Sequence, residues 1–470
     1  MKKIEKLLGI KDQMYARHIC MALCISFIVS LGSVFYRNPG SWMDEPFHYY
    51  RAIQISNGDI YKNDNGNMAL FGGQVSETQL AFMNHFVEKG TKDTFGFYFL
   101  SEIGGLSYSE TTRFQAATNA VPYHPLVYFP YVLVAVLNKA LHLSPAVEFI
   151  LMRLSGLIFA FSFLILAIRM MPFSKWTVAV LALHPTLLLT NSAISADLFT
   201  NAAVILFIAC LTKVTYRIAK LRNITKLDAM QLALSILFVS LAKVPAFLIL
   251  LSVLPVLYFA YKEKLFVRKI AVFLLFALTF SLLCSALLIL LIKDVNTGAY
   301  FGRDVDTFKQ LAYIFSDIPK FLSMYFREMF SYDYTVIQLG YARETFYQKP
   351  PAIVSMLYYF AYAVSWLYQE RNYESVKVSI EKFKIIQFGK VASFLAILFA
   401  TFLILYLQYS LVGSNIIDGV QQRYFTAYSL LLLTFIPHIR RLKTQVINWL
   451  VALAYFPLAV YLLYVFFQLF

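Results

Sequence analysis

The chain has 470 residues, of which 59% are hydrophobic and only 14% are charged. Soluble domains usually carry about 25% charged residues. The composition therefore excludes a soluble, disordered, fibrous or disulfide-stapled protein and predicts a polytopic membrane protein. The net charge of +15 lies in short Lys and Arg clusters between apolar runs, which is typical of membrane topology and not of a nucleic-acid partner.

The N-terminal segment, residues 1–18, is basic and precedes the first apolar run, 19–35. This arrangement resembles a signal sequence, but no small-residue cleavage site follows the apolar run. We therefore interpret 19–35 as a retained transmembrane helix and 1–18 as a cytoplasmic N-terminus. The four cysteines lie in apolar stretches, so they predict no disulfide framework.

Ten further apolar runs are long enough, or nearly long enough, to cross a bilayer. The sequence therefore predicts an all-α polytopic membrane protein with about 11 transmembrane helices, of which helices 2–7 lie within 147–292 and helices 8–11 within 351–470. The ten runs are 147–170, 176–191, 197–213, 228–242, 245–261, 270–292, 351–368, 387–410, 424–437 and 446–468.

Another apolar run, 121–142, is interpreted as an interfacial helix on the outer side of the membrane. If it crossed the bilayer, three basic loops would face outward, against the positive-inside rule. If it lies at the interface, the cytoplasmic segments hold 24 of the 41 Lys and Arg residues but only 7 of the 26 Asp and Glu residues. This asymmetry predicts a cytoplasmic N-terminus in a multi-pass plasma-membrane protein.

Two long loops are then expected on the outer side. The first, 36–146, contains a motif helix and the interfacial helix, and its glycine pair Gly72-Gly73 indicates a turn. The second, 293–350, contains an aromatic amphipathic stretch from Phe308 to Tyr334, which we expect to lie on the membrane surface as an amphipathic helix.

The first outer loop opens with the acidic pair Asp44-Glu45, the candidate catalytic carboxylates. On a helix that starts near Asp44, the side chains of Asp44, His48 and Arg51 share a face and can point into one cavity. The alternative is that Asp44 caps this helix, with Pro46 in its first turn. Capping and catalysis are compatible.

Further polar groups fall at the outer ends of other spans. Asp197 is a functional candidate because an acid at the face of an apolar bundle is costly unless it is paired or hydrated, although it can also cap the next span. The alternative for Lys243 is snorkelling to lipid headgroups, and for Arg423 it is interfacial anchoring. The remaining candidates for substrate binding are His124, Gln422 and Tyr424.

Arg153 lies near the outer end of the second span, close in sequence to Glu148. An intramembrane ion pair between these two residues is the expected role, and we interpret it as structural.

This set of groups suits transfer of a sugar from a polyprenyl-phosphate donor to a glycan acceptor. The leaving group is already a stable anion, so the reaction needs a carboxylate base for the acceptor hydroxyl and cations for the phosphate. Asp44 fits the first requirement, and Arg423, Lys243 and Arg51 fit the second. A single base with in-line attack predicts inversion at the anomeric carbon.

The same residues resemble the motifs of the GT-C superfamily of membrane glycosyltransferases. The chain is most similar to an uncharacterised bacterial family of predicted membrane proteins with an Asp-Glu-Pro-x-His motif after the first span. The resemblance covers nearly the whole chain, and the motifs occur in the same order. They are Asp44-Glu45-Pro46-Phe47-His48, His184-Pro185 through Ser195-Ala196-Asp197, Ala242-Lys243-Val244-Pro245, and Gly419 through Arg423-Tyr424.

By this resemblance, the fold is a GT-C-like bundle, Asp44 is the acid of the first outer loop that serves as a base or a metal ligand, and Asp197 is the second acid. The sequence lacks the Asp-x-Asp motif of the oligosaccharyltransferases in the loop before Asp197, so a divalent metal is not favoured and no cofactor is expected. Two alternatives remain open. One is a polysaccharide polymerase or ligase that uses diphosphate-linked glycans, and the other is a lipid flippase or transporter.

Overall fold

The computed structural model describes most of the chain as helices, together with one small sheet. The described residues are 2–41, 44–64, 67–88, 106–265, 268–292, 295, 305–330, 352–370, 380–434 and 442–467.

The first half of the chain contains nine helices and three strands within the described residues. In chain order these are α1 (Lys2–Leu8), α2 (Gln13–Tyr36), α3 (Glu45–Ser56), β1 (Lys62–Asp64), β2 (Asn67–Ser76), α4 (Glu77–Glu88), β3 (Thr112–Ala116), α5 (Phe129–Leu141), α6 (Pro145–Met170), α7 (Lys175–Ala182), α8 (Pro185–Thr190) and α9 (Ala196–Ala219). A short 3₁₀ helix, Pro125–Tyr128, precedes α5.

The described part of the second half contains helices and loops but no strand. Its α-helices are α10 (Lys226–Ala242), α11 (Val253–Lys262), α12 (Arg268–Leu291), α13 (Thr307–Ser316), α14 (Ile318–Met329), α15 (Ala352–Val364), α16 (Ile380–Gln408), α17 (Leu430–Leu433) and α18 (Thr444–Phe467). Its 3₁₀ helices are Val244–Ser252, Ser365–Leu367 and Gln422–Tyr424.

Within this described part, seven helices are long and apolar enough to cross a membrane. They are Gln13–Tyr36, Pro145–Met170, Ala196–Ala219, Val244–Lys262, Lys269–Leu291, Lys384–Gln408 and Thr444–Leu463. Each corresponds to one of the predicted spans. The fold is thus mostly helical and polytopic in character, with fewer full-length spans than the 11 predicted.

The other four predicted spans form shorter helices. The run 176–191 is divided into α7 and α8 at His184-Pro185, because proline cannot donate the backbone hydrogen bond that would continue α7. The run 228–242 forms the 17-residue α10, and 351–368 forms α15 and a 3₁₀ turn. Within 424–437, the described residues contain only the four-residue α17.

The centre of the bundle is α9, which is buried along nearly all of its length and packs between α6 and α10. The predicted interfacial segment 121–142 forms the 3₁₀ turn and α5, which packs on α3 and α6. At 13 residues, α5 is about 20 Å long, shorter than the ~30 Å hydrocarbon core of a bilayer. With the preceding 3₁₀ turn, however, the apolar helix Pro125–Leu141 has 17 residues, the same length as α10, so its length does not test the interfacial prediction.

The all-α prediction did not include the antiparallel sheet β1-β2-β3. Gly72-Gly73, expected as a turn, lies inside β2, where Gly72 pairs with Ala116 of β3. A Cβ atom at Gly72 would lie 2.0 Å from the carbonyl oxygen of Gln115, so the close strand approach requires glycine. The glycine pair thus marks a tight strand contact and not a chain reversal.

A second glycine controls how α5 meets α6. Tyr131 of α5 crosses α6 at Gly156, where a Cβ atom would lie 2.7 Å from Tyr131 Cε1. The Tyr131 hydroxyl lies 3.2 Å from the carbonyl oxygens of both Ala193 and Ser195 and accepts a hydrogen bond from the backbone N–H of Ser195. Since these hydrogen bonds fix the ring, Tyr131 cannot move aside freely. The contact therefore positions the turn that precedes α9.

We expect Gly156→Ala to lower the thermal midpoint of the purified protein in detergent, because the methyl group collides with the fixed Tyr131 ring. Gly32→Ala in α2 is the matched control, since a Cβ atom there meets nothing within 4 Å. Both changes gain about 0.8–1 kcal/mol of helix propensity, so their difference isolates the contact. Equal midpoints for the two variants would show that Gly156 is not required for this packing.

Candidate functional site

Asp44 immediately precedes α3 and has a left-handed backbone conformation, with φ 60°. Its side chain makes no capping hydrogen bond to the helix, so the capping alternative does not describe this carboxylate. Instead, Asp44 Oδ2 accepts a hydrogen bond from Arg423 Nη2 at 2.7 Å, and Oδ1 accepts one from Asn119 Nδ2 at 3.2 Å. The carboxylate is therefore turned away from α3, toward groups from other parts of the chain.

Arg423 joins two carboxylates. Besides its bond to Asp44, its Nε lies 3.0 Å from Asp197 Oδ2, at the start of α9. The side chain of Arg423 is only 3% exposed, whereas that of Asp44 is 33% exposed. Burial strengthens such contacts because fewer waters compete for the charges. Arg423 is consequently occupied by protein carboxylates, and Asp44 is the partner that solvent and ligands can reach.

Lys243 extends this arrangement from the junction between α10 and the following 3₁₀ helix. Its Nζ lies 3.7 Å from Asp197 Oδ1 and 3.4 Å from the centroid of the Tyr424 ring, over the face of an aromatic group that attracts cations. Burial lowers the pKa of Lys243 to about 8, although the charge of Asp197 opposes the decrease. We call Asp44, Arg423, Asp197 and Lys243 the four-charge chain.

A cavity of about 450 Å³ lies beside the four-charge chain. One part of its lining is polar and comes from Asp44, His48, Asn119, Tyr123, Lys243, Gln421 and Tyr424. Another part is apolar and comes from Val244, Pro245, Ile289, Ile292, Ile404 and Leu405, and Thr401, Gln408 and Tyr409 also line the cavity. Ile289 belongs to α12, and Ile404 and Leu405 belong to α16, both of which have the length of membrane spans. The cavity can thus accommodate a molecule with a polar head and an apolar chain.

The charges of this site balance. The four-charge chain contains two carboxylates and two cations, and Arg423 lies between both carboxylates. Among the described residues that line the cavity, Lys243 is the single Lys or Arg. An anionic ligand in the cavity would therefore meet the ammonium group of Lys243.

His48 lines the cavity as a neutral group. Its Nδ1 lies 2.8 Å from the hydroxyl of Tyr128, which itself donates to the carbonyl oxygen of Ala120. Burial lowers the pKa of His48 to about 4, against the opposing charges of Asp44 and Asp197. At neutral pH, His48 can therefore offer hydrogen bonds but no charge.

Glu45, the second acid of the pair, is enclosed. Its carboxylate accepts two hydrogen bonds from Arg153, at 2.9 and 2.7 Å, and one each from the backbone N–H groups of Ile194 and Gly40. Both side chains of the Glu45–Arg153 pair are fully buried. This geometry does not support the predicted catalytic role of Glu45, because its oxygens are saturated by donors and it does not line the cavity.

The expected pairing of Arg153 with Glu148 is wrong. Arg153 forms its ion pair with Glu45 and also donates to the carbonyl oxygens of Val34, Arg37 and Asn38. Glu148 instead accepts hydrogen bonds from Tyr49 and Gln79.

Four of the described residues predicted to bind substrate lie outside the cavity lining: Asp197 and Arg423, which belong to the four-charge chain, and Arg51 and His124. Arg51 donates to the carbonyl oxygens of Asp59 and Ile60, so its guanidinium holds a loop and is not placed to bind a ligand phosphate. His124 Nδ1 accepts from the backbone N–H of Leu126 and caps the 3₁₀ turn before α5. The side chain of Gln422 lies outside the described residues.

Asn119 is a site residue that the sequence patterns do not indicate. Its side-chain amide donates to Oδ1 of Asp44, the carboxylate oxygen that Arg423 does not bind. Its signal was weak, since a lone Asn before an apolar segment is common in loops. In the described part of the chain, no group of three or more His, Cys, Asp or Glu residues is arranged to hold a metal ion. The two acids of the four-charge chain share Arg423 instead.

Comparison with known proteins places the chain in one family. The DUF2142 family of predicted membrane proteins matches residues 27–433, which include every member of the four-charge chain. The chain belongs to the DUF2142 family. This membership confirms the prediction of a membrane protein, and a membrane protein contacts the lipid bilayer. No curated protein and no solved structure matches the chain.

We expect Glu45→Gln to destabilise this DUF2142 protein strongly, because Arg153 would stay buried without its charged partner. Breaking a buried ion pair from one side usually costs about 3–5 kcal/mol. Asp44→Asn is the matched control, since Arg423 keeps its ion pair with Asp197. Thermal denaturation in detergent measures both, and a Glu45→Gln midpoint as high as that of Asp44→Asn would contradict the structural role.

Proposed function

We propose that this DUF2142 protein is a GT-C-type membrane glycosyltransferase. It moves a hexosyl or pentosyl group from a polyprenyl-phosphate donor to a cell-surface or wall glycan. The observation that carries the proposal is a reachable carboxylate, Asp44, and an ammonium group, Lys243, at the polar part of a cavity that also has an apolar part. Binding sites of this kind combine an apolar lining with a few placed polar groups.

The apolar lining suits the donor's lipid chain. Side chains of α12 and α16 contribute it, so a polyprenyl chain that leaves the cavity along these helices stays beside membrane-spanning surface. The phosphate then lies near Lys243, and the sugar lies near Asp44.

The charge of the cavity favours a monophosphate donor. A polyprenyl-phosphate sugar is a phosphodiester with one negative charge, which the ammonium group of Lys243 can contact. A diphosphate-linked glycan, the substrate of the polymerase or ligase alternative, carries about one charge more, and no second Lys or Arg is among the described lining residues. Unpaired charge is costly in a site of low polarity, so the lining supports the monophosphate.

In the proposed reaction, Asp44 accepts the proton of the acceptor hydroxyl while the hydroxyl oxygen attacks the anomeric carbon. The bond between the anomeric carbon and the phosphate oxygen breaks, and its electron pair leaves with the phosphate. The phosphate thereby gains a second negative charge, which Lys243 stabilises as it develops. Arg423 and Asn119 orient Asp44, and Asp197 acts through Arg423. Attack opposite the leaving group gives an inverted product.

The distribution of Lys and Arg residues supports placing this site on the outer face of a bacterial plasma membrane, with the N-terminus in the cytoplasm. Each element of the four-charge chain then lies at the outer end of a span or outer loop. A lipid-linked donor and a surface glycan meet at that face.

The central test is Asp44→Asn in purified protein of normal abundance. We expect sugar transfer from polyprenyl-phosphate hexoses or pentoses to fall about 10²–10⁴-fold, the usual contribution of a general base. Glu110→Gln, which changes an exposed acid before β3, is the control and should retain full activity. Transfer is measured by release of polyprenyl phosphate.

Retained transfer in Asp44→Asn would contradict the role of the base. A diphosphate-linked glycan is assayed in parallel, and turnover of that substrate alone would favour a polymerase or ligase. Movement of lipid between leaflets without turnover of either donor would favour a flippase.

The reaction should also lose efficiency as pH rises through about 8 in the free enzyme. The pKa of Lys243 is lowered, so its ammonium group loses its proton near pH 8 and not near its ordinary value of 10.5. A pH profile of kcat/KM measures this alkaline limb. In Lys243→Arg the guanidinium keeps its charge, so the limb should move beyond the measured range. An unchanged limb in this variant would assign it to another group.

A further inference from the structure

The helices α13 and α14 form a pair whose inner side packs on the bundle. From α14, Phe321, Met324, Tyr325 and Met329 are buried in a cluster with Phe402, Tyr406, Ile417 and Phe425. The Tyr325 hydroxyl donates to the carbonyl oxygen of Phe399 in α16. One side of α14 thus has the apolar character expected of an amphipathic helix.

Exposed apolar residues flank this buried side, whereas Lys320, Ser323 and Arg327 lie on the opposite side of α14. Four exposed residues recur at every fourth position of α14 and its end, which aligns them along one side of the helix. These are Ile318, Leu322, Phe326 and Phe330. On α13, Phe308 is 84% exposed and Phe315 is 71% exposed. We call these six residues the outer stripe. An apolar surface of this kind marks a contact site.

The position of α14 along the length of α16 indicates what covers the outer stripe. Phe399, which α14 contacts, lies nine residues before the end of α16 at Gln408, or about 14 Å along the helix axis. Phe321 of α14 also lies ring to ring with Tyr406 at 5.5 Å, and Thr307 of α13 donates to the carbonyl oxygen of Leu407, so the pair reaches the last turns of this membrane-length helix. Amphipathic helices bury their apolar side about 5–10 Å into the boundary between headgroups and acyl chains.

The charges around the outer stripe cancel. Three acids, Asp306, Asp317 and Glu328, accompany three bases, Lys309, Lys320 and Arg327. Lys309 lies 3.5 Å from Asp306, and Arg327 lies 3.5 Å from Glu328. The surface therefore offers no net charge to anionic headgroups, and its contact depends on apolar side chains.

The pair also holds the loop that continues into the cavity. The backbone N–H of Gly413 donates to Gln310 Oε1 of α13, and Arg327 of α14 donates to the carbonyl oxygen of Asn415, both at 2.8 Å. The same loop runs on to Gly419 and Gln421, which line the cavity. The position of α13 and α14 is thereby linked to one wall of the site.

We propose that the outer stripe inserts into the lipid monolayer and that this insertion anchors the loop from Gly413 to Gln421. The occupant is the acyl-chain boundary of the bilayer, without preference for anionic lipid. The helix pair, held in position by lipid, stabilises the loop that lines the cavity. This inference is independent of the reaction that the cavity performs.

Spin labels test the lipid contact. In a variant with the four native cysteines replaced by alanine, Leu322→Cys and Phe326→Cys are labelled in phosphatidylcholine nanodiscs. We expect high accessibility to oxygen and low accessibility to a water-soluble nickel chelate, as at Leu283→Cys, an exposed position of the α12 span. Addition of anionic lipid or salt should leave both values unchanged.

Glu110→Cys, at an exposed loop position, provides the water reference. Nickel accessibility at residues 322 and 326 equal to that of Glu110→Cys would overturn the proposal. Low accessibility to both reagents would also overturn it, since it would show a protein partner or a second copy on the stripe. A strong dependence on anionic lipid would contradict the charge-neutral contact.

A label at Asn415→Cys tests the link to the loop. We expect its mobility to rise when Leu322→Glu places a charge in the stripe. Ser323→Glu, which places the same charge on an exposed position of α14 outside the stripe, is the control and should leave the mobility unchanged. Equal label mobility in the Leu322→Glu and unsubstituted proteins would separate the helix pair from the loop and overturn the anchoring role.

Discussion

The site depends on one guanidinium group, that of Arg423, held between the carboxylates of Asp44 and Asp197. These groups come from three distant parts of the chain, and in a desolvated position each charge would be costly without the others. Their pairing fixes the loop after α16 against the starts of α3 and α9. It also leaves Asp44 partly exposed and Lys243 facing the cavity, so that one base and one cation remain available to a ligand.

The neighbouring acids Asp44 and Glu45 have different surroundings and, in this account, different roles. Glu45 is saturated by Arg153 and two backbone donors, which ties α3 to α6 and to the turn before α9. That turn leads directly to Asp197. The Glu45–Arg153 pair is therefore the scaffold that sets the distance between the two acids of the four-charge chain. A buried, fully paired carboxylate can support a site, whereas a reachable one can perform its chemistry.

The sequence predicted which polar groups gather, but not which of them pair. Asp44, Asp197, Lys243 and Arg423 were expected together because each follows or precedes an apolar run at one side of the membrane. Arg51 was expected with them from helical spacing. Asp44 and His48 do line one cavity, but the guanidinium of Arg51 reaches the carbonyl oxygens of Asp59 and Ile60, which the spacing along α3 cannot indicate.

Features that depend on contacts between distant parts of the chain also could not be predicted from the sequence pattern. The glycine pair at Gly72 is typical of a turn, and the close approach of β3 at Gln115, which requires glycine there, is not visible in the sequence. The apolar composition of 176–191 does not show that the segment forms two helices separated at Pro185. Similarly, 3₁₀ turns make other α-helices shorter than their apolar runs. The length of an apolar run is thus a good indication of a membrane segment, but a poorer indication that the segment forms one continuous helix.

The most direct measurement of the central claim is a cryo-electron microscopy structure in nanodiscs with a non-transferable polyprenyl-phosphate sugar analogue. We expect phosphate density beside Lys243, the sugar toward Asp44, and the lipid chain along Ile289 and Ile404. Density for the phosphate at another site, with the cavity unchanged, would contradict the claim.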